Sequence, residues 1–408
     1  MESAQLARRR ATSLFASFLH FDVSFMVWVL LGPLALFIAG DLQLTTVQKA
    51  ILVAIPPLGG AFFRVILGVL SDAFGPKRVG VVSMALTFVP LALGCFAGTS
   101  FAQMIVVGAL LGIAGASFAV SLPLASRWYP PERQGIAMGI AGAGNCGTVI
   151  TALAAPRLAA HFGWHATMGL AMIPVAIAFF AFLFLAFDSP EQPAKKSLSE
   201  YVEVLSKADT WWFCFFYSIT FGGFVGLSGY LGIFFHDQYD VDKVAVGSIV
   251  AFAAFMGSGL RPVGGYLSDR IGGIAVLRVV YVVVAAMAFM IATLPSKGMC
   301  ELAVFVLLGA LGTGNGAVFQ IVPQRFRKEI GVITGIVGAA GGVGGFYLPT
   351  LLGVLKASTG TFASGWITFG LLALTAAGLL ALVGRVWTTT FLRADAPRAA
   401  FAFALEEG

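Results

Sequence analysis

Charge is scarce in this sequence. Asp, Glu, Lys and Arg make up 11% of its 408 residues, where soluble domains carry about 25%. That deficit, with 59% hydrophobic residues and a mean hydropathy of +0.92, excludes an ordinary water-soluble domain and implies a polytopic membrane protein. Cysteine is scarce too. Cys95, Cys146, Cys214 and Cys300 all lie in apolar runs, without the spacing of a metal site or a disulfide framework, and read as small buried apolar residues. No polar stretch is long enough for a soluble catalytic domain, and no nucleophile–base or metal-ligating cluster stands out. An enzyme is therefore not expected, and no cofactor or metal is called for. The net charge of +6 is not a nucleic-acid footprint, because the basic residues sit in short loops, as insertion signals do.

What the sequence does have is apolar length. Charges and turn residues cut it into twelve segments, at 14–39, 47–70, 79–97, 101–125, 135–157, 165–187, 211–235, 245–267, 275–294, 300–322, 331–355 and 362–386. Each is near the ~20 residues that span a bilayer as a helix. The first follows a basic tail ending Arg8-Arg9-Arg10 and exceeds the core of about 7–15 residues in a signal peptide. The longest polar connection, 188–209, falls between segments six and seven. The expected fold is all-α and polytopic: an N-terminal six-helix bundle (1–187), a cytoplasmic linker (188–209) and a C-terminal six-helix bundle with a short cytoplasmic tail (210–408). With the N-terminus in the cytoplasm, eighteen of the 25 Lys and Arg residues are cytoplasmic and five lie opposite. That is the positive-inside asymmetry, and it puts both termini in the cytoplasm.

One pattern occurs twice. Arg64-Val-Ile-Leu-Gly68-Val-Leu70-Ser71-Asp72-Ala-Phe-Gly75 matches Arg261-Pro-Val-Gly-Gly265-Tyr-Leu267-Ser268-Asp269-Arg-Ile-Gly272 at Arg, Gly, Leu, Ser, Asp and Gly. The chain is thus two related halves. In a helix, Arg64 lies roughly 12 Å from Asp72. If Asp72 marks the membrane surface, Arg64 sits near the middle of a hydrocarbon layer about 30 Å thick, and Arg261 likewise. A charge there costs at least ~2.5–3.5 kcal/mol and marks a functional site by default.

The guanidinium group is planar, stays charged and donates in pairs to oxyanions. Arg64 and Arg261 facing one cavity would clamp a small anion; alternatively each pairs with backbone carbonyls or with Asp22, the one acid well inside a span. Asp22, with His20 two residues before it, either snorkels or pairs with Arg64, or relays protons. Segments five and eleven are glycine-rich and matched: Gly135, Gly139 and Gly142 answer Gly331, Gly335 and Gly338. Such glycines pack helices tightly and allow the halves to rock. Asn145, the polar member of segment five, faces an anion or bonds across helices. Phe25, Phe118, Tyr217 and Phe221 fall on segments one, four and seven and together would make a slot for a flat anion. Asp72 and Asp269 are expected to cap or pair at helix ends and latch the halves.

The repeated Gly-x-Leu-Ser-Asp-x-x-Gly loop resembles the loop signature of the major facilitator superfamily, and with twelve spans the resemblance covers essentially the whole chain. Ala141-Gly142-Ala-Gly144-Asn145-Cys-Gly147 and Gly338-Ala-Ala-Gly341-Gly342-Val-Gly344-Gly345-Phe346 resemble the two nitrate signatures of its nitrate/nitrite porter family. The resemblance implies an alternating-access transporter of nitrate, and of nitrite, in the bacterial cytoplasmic membrane, acting as a monomer. It assigns anion binding to Arg64 and Arg261, a lining role to Asn145, Tyr217, Phe118, Phe221 and Phe25, and movement to the glycine-rich segments. The start of segment one, His20-Phe-Asp22-Val-Ser-Phe25-Met-Val-Trp28, is similar to the assimilatory, symporter-type members, so proton-coupled import is expected. Nitrate/nitrite exchange, carriage of another small organic or phosphorylated anion, and a non-transporting anion sensor remain as alternatives.

Overall fold

The computed structural model describes residues 2–129, 140–190, 198–326 and 329–392. Among them every regular element is helical. Gly135 and Gly139, part of the linker and the tail from residue 393 lie outside the described residues. Eleven helical stretches are long and apolar enough to cross a membrane. One of them, Ile140–Leu185, runs 46 residues and turns back at Gly163, whose φ of 80° breaks the helix. It therefore holds segments five and six, and the twelve expected spans are all represented.

The first span is α1 (Glu2–Trp28) plus α2 (Leu31–Asp41). They separate because Pro33 has no N–H for the Val29 carbonyl, which accepts from Gly32 N instead at 3.0 Å. Helix α3 (Thr46–Phe74) starts on a capping box between Thr45 and Gln48. It ends at Gly75, whose φ of 89° lets α4 (Pro76–Ala97) fold back. The fourth span is broken at Ala116–Ser117 into α5 (Phe101–Gly115) and α6 (Phe118–Ser126). A 3-10 turn, Ala143–Cys146, leads into α7 (Gly147–Leu170), interrupted at Gly163, and α8 (Met172–Leu185).

The connection between the sixth and seventh spans carries a short helix, α9 (Leu198–Ser206). It is anchored because Val204 is fully buried and its carbonyl accepts from the Thr210 hydroxyl at 2.6 Å. Then come α10 (Ala208–Tyr239), α11 (Ala245–Gly259), α12 (Arg261–Ile271), α13 (Gly273–Ala292), α14 (Lys297–Arg325), α15 (Ile330–Thr359) and α16 (Ala363–Thr390). Helices α11 and α12 form one span, broken immediately before Arg261-Pro262. At its end Gly272 repeats the φ of 89° seen at Gly75, so the last matched residue of each copy serves one backbone turn.

The long seam between the halves is α3 against α15. It closes on glycine. A side chain at Gly342 would meet the Pro57 carbonyl at 2.7 Å and Ala61 at 3.0 Å, and one at Gly345 would meet Pro57 at 3.0 Å. Such close backbone approach is what small residues permit inside a membrane. A second seam packs α11 against α7. On the outside of the bundle, Phe62, Phe96, Ile177 and Phe184 are exposed, as a bilayer-facing surface requires.

Candidate functional site

Arg64 is 1% exposed, at mid-length in α3. Its Nη2 donates to the Gly115 carbonyl at 2.7 Å and its Nη1 to the Gly338 carbonyl at 2.5 Å. The first acceptor exists because the fourth span breaks just beyond it: Ala119 N bonds Ala116 O rather than reaching back to Gly115. The second lies on α15, in the other half. Around the guanidinium stand three rings, Trp28, Phe118 and Phe221, at 5.6, 5.4 and 5.7 Å.

Arg261 begins α12 and lies over the Phe319 ring at 5.9 Å. Phe319 is the link between the two arginines. Its ring meets Phe118 at 6.1 Å and Tyr217 edge-on at 5.0 Å. Tyr217 in turn stacks on Phe221 at 5.0 Å. Phe25 closes the ring of aromatics, 4.9 Å from Trp28 and 6.4 Å from Phe221. Gly341 lies directly under the Tyr217 and Phe221 rings, where a Cβ would come within 2.9 and 2.7 Å.

The structure thus gathers Arg64, Arg261, Phe25, Phe118, Tyr217, Phe221 and Gly341 in one place. Asn145 is buried on the 3-10 turn that packs between α1 and α11. Gly144 and Gly147 bring this turn onto the α1 backbone at Asp22, and a side chain at Gly142 would enter open space. Gly344 packs against the Ser218 carbonyl of α10. Asp22 accepts from the Cys146 thiol at 3.4 Å, and no ion pair joins it to either arginine among the described residues. The positive centre is therefore not cancelled from there. His20 points elsewhere. Its Nδ1 is 2.7 Å from the Ser121 hydroxyl and its ring lies on Phe182 at 4.6 Å, inside the first half. Among the described residues Asp72 pairs with Arg127 at 2.6 Å and Asp269 accepts from Gln320 at 3.1 Å, each joining neighbouring helices of one half.

A family model described as the Major Facilitator Superfamily matches residues 15–349. The nitrite extrusion protein of Bacillus subtilis is 34% identical over 352 residues, covering 86% of this chain and 88% of its own. The probable nitrate/nitrite transporter NarK2 of Mycobacterium tuberculosis is 35% identical over 365 residues, covering 88% and 91%. The chain belongs to the nitrate/nitrite porter family of the major facilitator superfamily. A third relative, the probable nitrate/nitrite antiporter NarK1 of Thermus thermophilus, is 30% identical and covers 88% of this porter and 89% of its own length. Such a protein is a transporter and not an enzyme.

Two residues of the porter's aromatic collar escape a reading of the sequence, Trp28 and Phe319. A signal for Phe319 is there. It follows Gly309-Ala-Leu by the same interval that separates Phe118 from Gly108-Ala-Leu, so the two rings are repeat-related. Trp28 is fixed by its indole N–H, which donates to the Pro56 carbonyl at 2.7 Å.

Proposed function

We propose that this porter moves nitrate, and also nitrite, across the cytoplasmic membrane by alternating access, as proton-coupled nitrate import, with both termini in the cytoplasm and a single copy as the working unit. The observation that carries the reading is the pair of arginines, one per half, inside a collar of six aromatic residues and without a partnering carboxylate among the described residues. The planar guanidinium fork fits a planar oxyanion, and a tight collar of rings favours a small ligand over a bulky one. The names of the relatives point to the same anions. Arg64 already holds a carbonyl from each half, so an anion that replaces one of them alters how firmly the halves are tied.

Proton coupling rests on Asp22. It sits where the 3-10 turn of the glycine-rich fifth span meets α1, so a change in its charge would act on a moving part rather than on the anion itself. The test is nitrate uptake into proteoliposomes with an imposed inward proton gradient, and separately with trapped nitrite. Uptake driven by the gradient alone, and lost in Asp22→Asn while nitrite-driven counterflow persists, is the expected result. Uptake that needs internal nitrite would replace symport with exchange, and no nitrate movement under either condition would overturn the substrate.

A further inference from the structure

Arg64 and Arg261 occupy equivalent places in the two halves, yet their hydrogen bonding differs. Arg64 finds its own half's acceptor at Gly115, at the end of α5. The interval that relates Phe118 to Phe319 relates Gly115 to Gly316 on α14. A side chain at Gly316 would collide with the Arg261 backbone, so α14 does pass beside Arg261 at the equivalent level. There the expected bond is missing: Arg261 Nη1 is buried with no hydrogen-bond partner among the described residues. One residue away stands Asn315, 1% exposed, whose side-chain oxygen is equally without a partner. Gly314 on one side of it packs on Thr220 of α10, and Gly316 on the other side packs on α12. Asn315 therefore projects between the helix of Tyr217 and the helix of Arg261. It shares its face of α14 with Phe319, four residues on.

A buried donor and a buried acceptor on touching helices, both unmet, are a pair awaiting closure, since each is costly to leave alone. We propose that Asn315 is a positioning residue for the anion site. Its amide oxygen accepts from Arg261 Nη1 once the anion draws the guanidinium inward, which turns the remaining N–H groups of the fork toward the ligand. This rests on the anion-binding reading above. It assigns to the second half a side-chain amide in the role that a backbone carbonyl plays in the first.

The test is nitrate counterflow in proteoliposomes for wild type, Asn315→Ala, Asn315→Ser and Asn315→Asp. Values are normalised to the protein recovered as a monodisperse species. Ala and Ser should raise the nitrate KM about tenfold with maximal rate changed far less. Asp should be worse than either, because a carboxylate would occupy the fork in the anion's place. A residue that merely fills space gives the opposite order, with isosteric Asp the mildest, and lowers the active fraction while KM stays put; either result would overturn the proposal. If Ala does not fold, the order of Asp against Ser decides. Wild-type vesicles that exchange no nitrate would overturn the substrate reading, and with it this role, a failure recognisable without any variant.

Discussion

Arg64 ties a carbonyl of its own half to one of the other half, and in doing so it keeps two of its five N–H groups engaged before any ligand arrives. A lysine in its place keeps the charge and reaches mid-membrane, but it offers a point donor where a fork is needed. Losing one charge-assisted bond of about 1.5–3 kcal/mol predicts that Arg64→Lys and Arg261→Lys each weaken nitrate binding by roughly ten- to a hundredfold. Nitrate-dependent thermal stabilisation of the purified protein would measure this, and wild-type affinity in both variants would remove the clamp. The two arginines are legible in the sequence because a charge inside an apolar run has no inexpensive explanation. The collar is less so. With 37 phenylalanines in the chain, one more on a span carries no contrast, and Phe319 and Trp28 become distinct only through the guanidinium groups they face. His20 shows the converse: polarity inside a span drew attention to it, yet its ring is spent on Ser121 and Phe182.

Single helices carry the next level of design. The existence and number of spans follow from hydropathy, but the breaks at Val29–Leu30 and Ala116–Ser117 leave no hydropathic trace, while the one at Leu260 directly precedes Arg261-Pro262. They matter because the first and third end helices beside the site and the second frees the carbonyl that Arg64 uses. Gly75 and Gly272 were marked by the repeat, and their positive φ explains why glycine stands in both copies. The α3–α15 seam makes a sharp prediction. At Gly342 the obstacle is the Pro57 backbone carbonyl, which cannot rotate out of the way. Gly342→Val should therefore hold the seam apart and cut nitrate counterflow at least about tenfold, while the detergent-solubilised protein stays folded. Normal counterflow in that variant would mean that the seam does not have to close. At the start of α15, Glu329 binds Lys207 at 2.9 Å and this bond raises the lysine pKa, with Glu203 adding to it. A raised lysine pKa stabilises the fold at full strength below the unfolded value of about 10.4 and loses that contribution as pH climbs through the folded one. Thermal unfolding should show wild type more stable than Glu329→Gln at neutral pH, with the gap narrowing only above roughly pH 10.4. A gap that is the same at pH 8 and pH 11 would mean that Glu329 acts through its negative charge at the start of α15 and not through its bond to Lys207.

At the scale of the molecule, the contacts between halves are unevenly distributed. Loops at 41–46, 98–100, 240–244, 293–297 and 359–363 lie on the face away from the termini. There Lys49 pairs with Asp237, Arg157 Nη2 donates to Ser248 at 3.1 Å, and Lys243 sits over the Phe37 ring at 5.5 Å. Each joins the first half to the second. Beneath them Gly32 packs on the Gly229 backbone, Gly247 on Ala152 and Gly353 on Ala50. Among the described residues, the terminal-face ion pairs Arg127–Asp72, Lys207–Glu329 and Arg325–Asp209 join neighbouring helices of the first half, or the second half and the end of the linker. The structure is therefore a state closed away from the termini, and Lys49–Asp237 is the charged latch on that closed face. Its side chains keep 16% and 21% of their exposure, so water and salt screen the pair, and it is worth at most about 1 kcal/mol. That is enough to move a two-state balance up to about fivefold. Val53 offers a reporter, since it is buried under the latch against Gly229 and a cysteine there is smaller than the valine it replaces. With the four native cysteines changed to alanine, Val53→Cys should react with a membrane-impermeant maleimide about two- to fivefold faster when Asp237→Asn or Lys49→Met is added, and the double variant should match either single one. Labelling that ignores the latch would mean the glycine seams alone hold this face shut, and the balance between the two states would then be set by helix packing rather than by charge.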